Sequence, residues 1–496
     1  MPEQLEHKCA VVAGSALQEG TDDIASRIGK AMHALRNRGG AGWGIGMYTR
    51  RKALQVIGGV FEEDLGDPNT FMHWGATDGI GHDRYGTSGQ RGHSTDMIQP
   101  FEFTAGGRRY AFAFNGTIAN FEELKKEMGP LRVDVDTEVL RMLLIRAIEK
   151  HTRENLAAVF RELEEKLDGA FNIVMIDDQG NTCAYRDALG FHPLVYMHND
   201  RYMAVASEDY GIKEAFPEAN EEDIHPLQPG QLIQKRRGQV VIEQIMESAR
   251  RAHCFFEWQY FANYLSKLEG VSVEQIRKRW GELLAEGDSD MPLDPAQVRI
   301  EPVPHSAMSA GKGYAKQRGI PHSESIERRI ERRSFLQDEA EQYKVAKAKL
   351  HVEEGAELEG KDVILIDDSM VRGNSMRALV EKIRAHNPRS IHLRLTCPPV
   401  IALCFYGIDI SKLSYLAARK HLNERGELTQ EGHAHLAKEL GVESIRFLGM
   451  EKMLQAFEEF GIRKEDLCTA CITAEYPTPK GQELYGIAVK REKKKP

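Results

Sequence analysis

The stretch Val363-Ile-Leu-Ile-Asp-Asp-Ser-Met-Val-Arg-Gly-Asn-Ser375 constrains this chain more than any other. An apolar, β-branched run ends in two adjacent carboxylates. A small polar loop with one glycine follows, and then an amphipathic segment from Met376 to Ala385. That order is strand, loop, helix. Open α/β sheets hold their ligands at the carboxyl ends of such strands. The loop's backbone N–H groups and the helix N-terminus can hold a phosphate. Asp367 and Asp368 repel a phosphate directly, but they bind hydroxyls or reach the phosphate through Mg²⁺. The site therefore suits a sugar phosphate with hydroxyls, together with a metal. The plainer alternative is a buried strand that ends in an Asp-Asp turn. No Gly-x-x-x-x-Gly-Lys-Ser/Thr loop occurs, which argues against an NTPase.

A chain of 496 residues suggests two to four domains. Its net charge of −9 argues against a nucleic-acid binder with a broad basic face. No apolar run reaches the roughly 18 residues that span a bilayer, and Met1 to Lys8 lacks the apolar core of a secretory signal. The expected location is the cytoplasm. There, seven cysteines read as catalytic, metal-binding or buried thiols rather than disulfides. The lysine-rich end, Lys490 to Lys495, reads as a solvated tail.

Residues Cys9 to about Glu243 read as a β-rich α/β region. Strand-like runs are Ala10 to Val12, Leu54 to Val60, Tyr110 to Phe114, Phe171 to Ile176 and Tyr202 to Ala206. Helical patterns are Ile24 to Leu35, Thr137 to Lys150 and Asn155 to Leu167. After a connector, Gln244 to Arg251, comes the aromatic-rich stretch Cys254 to Tyr264. An amphipathic helix, Val271 to Glu286, follows. Next are a strand at Val298 to Val303, a helix from about Ala307 to Arg318, a charged run Ser325 to Arg333 and a strand at Ile391 to Thr396. This alternation favours a parallel sheet, and the tail after about Leu413 reads as mostly helical.

The residues Val363 to Ser375 resemble the phosphoribosyl pyrophosphate (PRPP) motif of type I phosphoribosyltransferases. The resemblance implies that Asp367 and Asp368 lie along the ribose and Mg²⁺. Ser369, Arg372, Gly373, Asn374 and Ser375 would hold the 5′-phosphate. Asn374 and Ser375 stand where that family usually has two threonines. Further forward lie Arg38-Gly-Gly-Ala-Gly-Trp-Gly-Ile, Gly81-His-Asp-Arg-Tyr-Gly-Thr-Ser-Gly89, Phe112-Ala-Phe-Asn-Gly-Thr-Ile118 and Asp136-Thr-Glu-Val-Leu140. In this order they resemble the class II glutamine amidotransferases, whose domain has the N-terminal-nucleophile fold. That resemblance implies a nucleophilic Cys9, freed by removal of Met1 to Lys8, with its own α-amino group as base. Such a group has a pKa near 7.7–8.0, suited to moving protons at neutral pH. Asn115, by its side-chain N–H₂, and Gly116, by its backbone N–H, would hold the oxyanion. Arg84 would grip the glutamine α-carboxylate and Asp136 its α-ammonium, with Arg38 and Tyr85 closing over the site. Each has a plainer counterpart: Asn-Gly is a hairpin dipeptide, Arg84 a surface ion pair, Asp136-Thr137 a helix cap. Ala10 and Asn37-Arg38-Gly39-Gly40 depart from the family's Gly and His-Arg-Gly-Gln.

An amidotransferase front followed by a PRPP site is similar to the amidophosphoribosyltransferases, over nearly the whole chain. Cys254-Phe-Phe-Glu-Trp-Gln-Tyr-Phe-Ala262, the Arg277/Gly281 helix, Val303-Pro-His-Ser306 and Arg332-Arg-Ser-Phe335 resemble further motifs of that family. The resemblance implies that Ser306 lies near Mg²⁺ or pyrophosphate. Arg333, with Lys347 or Lys349, would neutralise the departing pyrophosphate from a mobile loop. The plainer reading of Ile326 to Arg333 is a solvated helix. Cys254, Cys404, Cys468 and Cys471 can hold zinc or a [4Fe–4S] cluster, and Cys468-Thr-Ala-Cys471 alone can be a redox pair. One branch of the family carries a structural [4Fe–4S] cluster at these four positions. Cys183 and Cys397 read as ordinary thiols.

The expected architecture is a leader (1–8), an N-terminal-nucleophile αββα sandwich (9–243), a type I phosphoribosyltransferase parallel-sheet domain (254–430) and a helical C-terminal extension (431–496). The expected enzyme makes 5-phosphoribosylamine, glutamate and pyrophosphate from PRPP, glutamine and water, the entry step of purine synthesis. Its expected cofactors are Mg²⁺ and a [4Fe–4S] cluster, and its expected assembly a homo-oligomer, dimer or tetramer by resemblance. No nucleic-acid or membrane partner is expected. The alternatives are a relative with one activity only, or a non-catalytic PRPP sensor.

Overall fold

The computed structural model describes all residues except 1–8, 19–22, 41, 60–73, 85–94, 153–154, 290, 292–293, 329–349, 409, 411 and 494–496. In the front half two antiparallel sheets face each other. The first has seven strands in the order Ile224–Pro226, Val195–His198, Tyr202–Ala206, Ala10–Ala16, Ala76–Arg84, Gly42–Thr49 and Leu54–Gly59. The second has six, in the order Gln239–Gln244, Gln231–Arg236, Thr182–Arg186, Gly169–Asp177, Arg108–Ile118 and Phe101–Ala105. Alternation along each strand divides the core into layers. Val11, Ala13 and Ile80 face the second sheet and pack on its Ala113 and Val174. Ala10 and Val12 face outward, against Ile28 and Met32 of the helix Ile24–Ala34. On the far face of the second sheet, Phe112 and Phe114 pack on Leu140 and Leu144 of the helix Asp136–His151 and on Phe160 of the helix Leu156–Lys166. The result is the expected αββα sandwich.

The back half is built on a parallel sheet in the order Val298–Pro302, Asp362–Asp367, Ser390–Leu395 and Ser444–Phe447. Val363 to Ile366 are buried on both faces, which is why their sequence is a continuous apolar run rather than an alternating one. The helix Asn374–Arg384 follows, with Met376, Leu379, Val380 and Ile383 on its buried face. The helices Val273–Gly287 and Met308–Arg318 pack through two glycines. A Cβ on Gly281 would lie 1.9 Å from the Ala310 carbonyl, and one on Gly313 2.0 Å from that of Lys278. No side chain fits at either crossing.

One expectation and one plainer reading need correction. The strand Ser444–Phe447 completes the parallel sheet, so a boundary at residue 430 cuts that sheet in two. Four residues of mixed polarity carry no alternation that separates them from the helices Gln430–Leu440 and Met450–Glu459 beside them. Ile326–Arg328 is not helical but a strand, paired with Leu350–Val352, and the rest of the charged run lies outside the described residues. Among the described residues, no helix is long and apolar enough to cross a membrane.

Candidate active sites

The first site lies where the two sheets of the sandwich end. Cys9 precedes the strand Ala10–Ala16, whose register pairs Ala10 with Asp83. One step further, Cys9 comes opposite Arg84. Burial pushes the Arg84 guanidinium down, and Cys9 is the group that pulls it back up, so the two lie within electrostatic reach. Arg84 also donates to Met97 Sδ at 3.2 Å. Two residues on, Gln99 ties the strand Arg108–Ile118 to the helix Asp136–His151. Its Oε1 accepts from Phe114 N at 2.7 Å, and its Nε2 donates to Thr137 Oγ1 at 3.5 Å. This brings the residue before Asn115 and the residue after Asp136 onto one side chain. Nothing in the sequence singled Gln99 out.

Asn115 is buried in the strand Arg108–Ile118, and among the described residues its Nδ2 has no hydrogen-bond partner. A buried donor without an acceptor costs about 1–3 kcal/mol, a cost that an incoming oxyanion removes. Gly116 is sterically required, since a Cβ there would stand 1.8 Å from the Ala170 carbonyl. Asp136 opens the helix Asp136–His151 and accepts from Ile118 N at 3.3 Å and Thr137 N at 2.8 Å. Burial raises its carboxyl to about 6, against the pull of these backbone N–H groups. Asp136 therefore loses its proton only above weakly acidic pH unless a cation meets it.

Arg38 does not carry over as a residue that closes on substrate. It is fully buried, and its guanidinium is engaged by Glu208 through Nε and by Glu257 through Nη2. Glu257 also meets His192 Nδ1 at 2.7 Å. Burial alone would raise the Glu257 carboxyl, but Arg38 and His192 outweigh it and hold it down at about 2. Glu208 is fully satisfied by Arg38, Asn37 Nδ2, Asn263 N and Ser266 Oγ. Arg38 is thus a tie between the two halves. Tyr85 lies outside the described residues.

The second site lies at the carboxyl end of the strand Asp362–Asp367. Burial, then the neighbouring Asp368 charge, push the Asp367 carboxyl well above the usual range, while Arg328 pulls it down. Two crowded acids of this kind are stabilised by a cation. Ser306 donates its hydroxyl to Asp368, and Ser369 Oγ donates to the same carboxylate at 2.5 Å. Gly373 holds the turn into the helix Asn374–Arg384 at φ +83°, a conformation glycine adopts without strain. Asn374 opens that helix and Ser375 is exposed. Arg372 stands over the Tyr415 ring at 4.5 Å. His305 is held down by burial and by Arg328. Arg333, Lys347 and Lys349 lie outside the described residues.

The four cysteines converge from three segments. Cys254 and Cys468 are partners across a two-stranded parallel pair. Cys404 Sγ accepts from Tyr406 N and Ile408 N, each at 3.4 Å. The Cys471 carbonyl accepts from Ile401 N at 2.9 Å and Ala402 N at 3.0 Å. Burial pushes the Cys471 thiol up, and Cys404, Cys254 and Cys468 push it further. Among the described residues, no group of three or more His, Cys, Asp or Glu side chains is arranged to hold a metal ion.

Fold and sites together define a class II glutamine amidotransferase joined to a phosphoribosyltransferase sheet. A family model described as glutamine amidotransferase domain matches residues 91–214. The amidophosphoribosyltransferase of Methanothermobacter thermautotrophicus is 33% identical, over 96% of this chain and 96% of its own. That of Bacillus subtilis is 30% identical, over 92% and 90%. The solved glutamine PRPP amidotransferase of B. subtilis, complexed with ADP and GMP, superposes with a TM-score of 0.78 at 25% identity, over 95% of this chain and 98% of its own. A structure described as the allosteric regulatory enzyme of purine biosynthesis gives 0.80 at 26% identity, over 97% and 99%. The chain belongs to the amidophosphoribosyltransferase family.

Proposed function

We propose that this enzyme uses glutamine as the ammonia source for making 5-phosphoribosylamine from PRPP, with one site in each half of the chain. The observation that carries the reading is Asn115 Nδ2, unpartnered among the described residues and buried on a strand whose next residues lead to Asp136. The Cys9 thiol attacks the side-chain amide carbon of glutamine, and its α-amino group moves the thiol proton to the leaving ammonia. Asn115 Nδ2 and Gly116 N–H hold the oxyanion while the C–N bond breaks. Arg84 and Asp136 hold the two charged ends of the amino acid. Water then opens the thioester to glutamate. Ammonia attacks the anomeric carbon of PRPP, and the C–O bond to pyrophosphate breaks. The loop from Ser369 to Ser375 receives the 5′-phosphate on backbone N–H groups at the helix N-terminus.

The oxygen donors Asp367, Asp368 and Ser306 suit Mg²⁺, which keeps several waters and takes one or two carboxylates. When bound, it neutralises charge on the pyrophosphate. The four thiols suit a soft centre, and the N–H groups on Cys404 Sγ are contacts of the kind that tune cluster sulfurs. We expect anaerobically purified protein to be brown, with broad visible absorption and about four irons per chain. A colourless protein holding zinc would overturn the cluster. A cytoplasmic, homo-oligomeric enzyme belongs to the same reading.

The reading requires a free α-amino group on Cys9. Intact-mass measurement of the purified enzyme should give a chain that begins at Cys9, and an active enzyme that still begins at Met1 or Pro2 would contradict it. The pH profile tests Asp136. The Cys9 amine must be neutral, so glutamine kcat/KM falls tenfold per unit below about pH 7.7. Asp136 must be ionised, so below about pH 6 the slope doubles. Asp136→Asn should raise KM for glutamine and restore a single slope. A wild-type profile with one slope throughout would remove Asp136 from glutamine binding.

A further inference from the structure

The strand Gly169–Asp177 lies beside the strand Arg108–Ile118, and their register sets Asn172 directly opposite Asn115. Both side chains stand on the face that looks into the space between the sheets, because Ala113 and Val174, two residues away on each strand, pack there. That face is apolar along Ala111, Ala113, Val174 and Ile176 and turns polar at this pair. Asn172 is fully buried. Its Nδ2 donates to the Pro193 carbonyl at 2.8 Å and to the His192 carbonyl at 3.5 Å. Carbonyl oxygens accept and never donate, so these two settle which end of the amide is which. Oδ1 is turned away from them, and among the described residues it has no hydrogen-bond partner. Asn115 Nδ2 is in the same condition. One cross-strand pair thus leaves one donor and one acceptor unpaired and away from water. Side chains directly opposite on one face have Cβ atoms about 4.5–5.5 Å apart, close enough for both amide ends to meet one small group. Thr117 Oγ1, two residues along from Asn115, is a third buried atom without a partner among the described residues. From the other sheet His82 reaches the same place. It comes two residues before Arg84 on the strand Ala76–Arg84, and the Phe114 backbone draws up a pKa that burial holds down.

A primary carboxamide has the matching pattern on a single carbon, a C=O that accepts and an NH₂ that donates. We propose that Asn172 reads the nitrogen of the glutamine side chain. Asn115 Nδ2 takes the amide oxygen, and Asn172 Oδ1 accepts an N–H from the amide nitrogen. The pair selects a carboxamide over a carboxylate or an ester and fixes which way round it lies. The inference rests on the two-site reading above and deepens its glutamine site. As Cys9 Sγ bonds to the amide carbon, the C–N bond breaks with its electron pair on nitrogen. The proton relayed from the thiol then completes ammonia. Asn172 Oδ1 keeps one N–H throughout, since that nitrogen carries at least two. The glutamate product has no N–H there and sets an oxygen against Oδ1, which favours its release. Asn172 is a specificity-determining residue, and it neither takes a proton nor bonds to carbon.

The test compares two substrates in the full enzyme. One is glutamine, and the other is the γ-methyl ester of glutamate, which keeps the carbonyl and both charged ends but offers no N–H. Glutamate release gives kcat/KM for each, in wild type and in Asn172→Ala, with melting temperature alongside. A site built to hydrogen-bond a substrate N–H discriminates against analogues that lack it. Asn172→Ala should lower the ratio of the glutamine value to the ester value by about tenfold, the scale of one hydrogen bond between neutral groups. A merely structural role, through the bonds to Pro193 and His192, would lower both values together and leave the ratio alone. An unchanged or increased ratio overturns the inference. If Asn172→Ala does not fold, Asn172→Val serves, a strand former that offers no acceptor, and the same ratio decides in the same way. A wild type that releases glutamate from neither substrate contradicts the glutamine site itself. A wild type that uses glutamine, with a ratio the variants do not alter, contradicts only the role of Asn172.

Discussion

Cys9→Ala should abolish glutamine-dependent synthesis, by a factor on the order of 10⁶, the scale seen when a covalent nucleophile is removed. Synthesis from free ammonia should persist. The asymmetry follows from where the groups lie. Cys9 enters the first strand of the sandwich opposite Arg84. The acid pair ends a strand of a different sheet in the other half of the chain. Alanine at position 9 touches none of the groups around Asp367 and Asp368, so the acceptor site stays intact. Position 9 is also half-buried, just before the start of a strand, so loss of one sulfur removes little packing and the melting temperature should hardly move. Steady-state assays with glutamine and with ammonium, at matched PRPP, check this. Loss of both activities in a folded variant would refute separate sites.

Asn115→Ala should lower glutaminase kcat by about 10²–10³-fold, the cost of removing one oxyanion donor. Its stability signature is the more telling part. Most substitutions of a buried polar side chain break a bond and destabilise, but here Nδ2 has no partner to lose among the described residues. Removing an unpaired buried donor relieves a desolvation cost of about 1–3 kcal/mol, offset by the small cavity left behind. We therefore expect a large fall in kcat with melting temperature unchanged or slightly higher. A parallel fall in stability and activity would instead mark Asn115 as a structural residue. Asn115→Asp, which puts an acceptor where the donor stands, should be at least as inactive.

Much of this was legible in the sequence because the physical signals were local. Val363 to Ile366 are apolar without alternation because both faces of their strand are covered. Gly373 stands where the chain must take a positive φ to enter the next helix. Asn115, Gly116 and Asp136 were recognisable as a set, and the structure shows Ile118 and Gln99 drawing their surroundings together. What could not be read was whatever depends on long-range partners. Arg38 was expected over the substrate, because neither Glu208 nor Glu257 announces that it will be buried against it. The strand Ser444–Phe447 is too short and too mixed in polarity to declare itself, and only its pairing with Ser390–Leu395 makes it a strand. Glu257, Gln259 and Arg277 stand within recognisable motifs, yet their roles are set by partners far along the chain, such as the Asp368 carbonyl.

The central claim is that glutamine hydrolysis and pyrophosphate release are halves of one reaction. The direct measurement is stoichiometry: glutamate and pyrophosphate quantified together, with Mg²⁺ and glutamine present, as PRPP is titrated. The account predicts one glutamate and one pyrophosphate for each PRPP consumed, with little glutamate formed when PRPP is withheld. Glutamate produced at the same rate without PRPP, with no pyrophosphate released when PRPP is added, would contradict it.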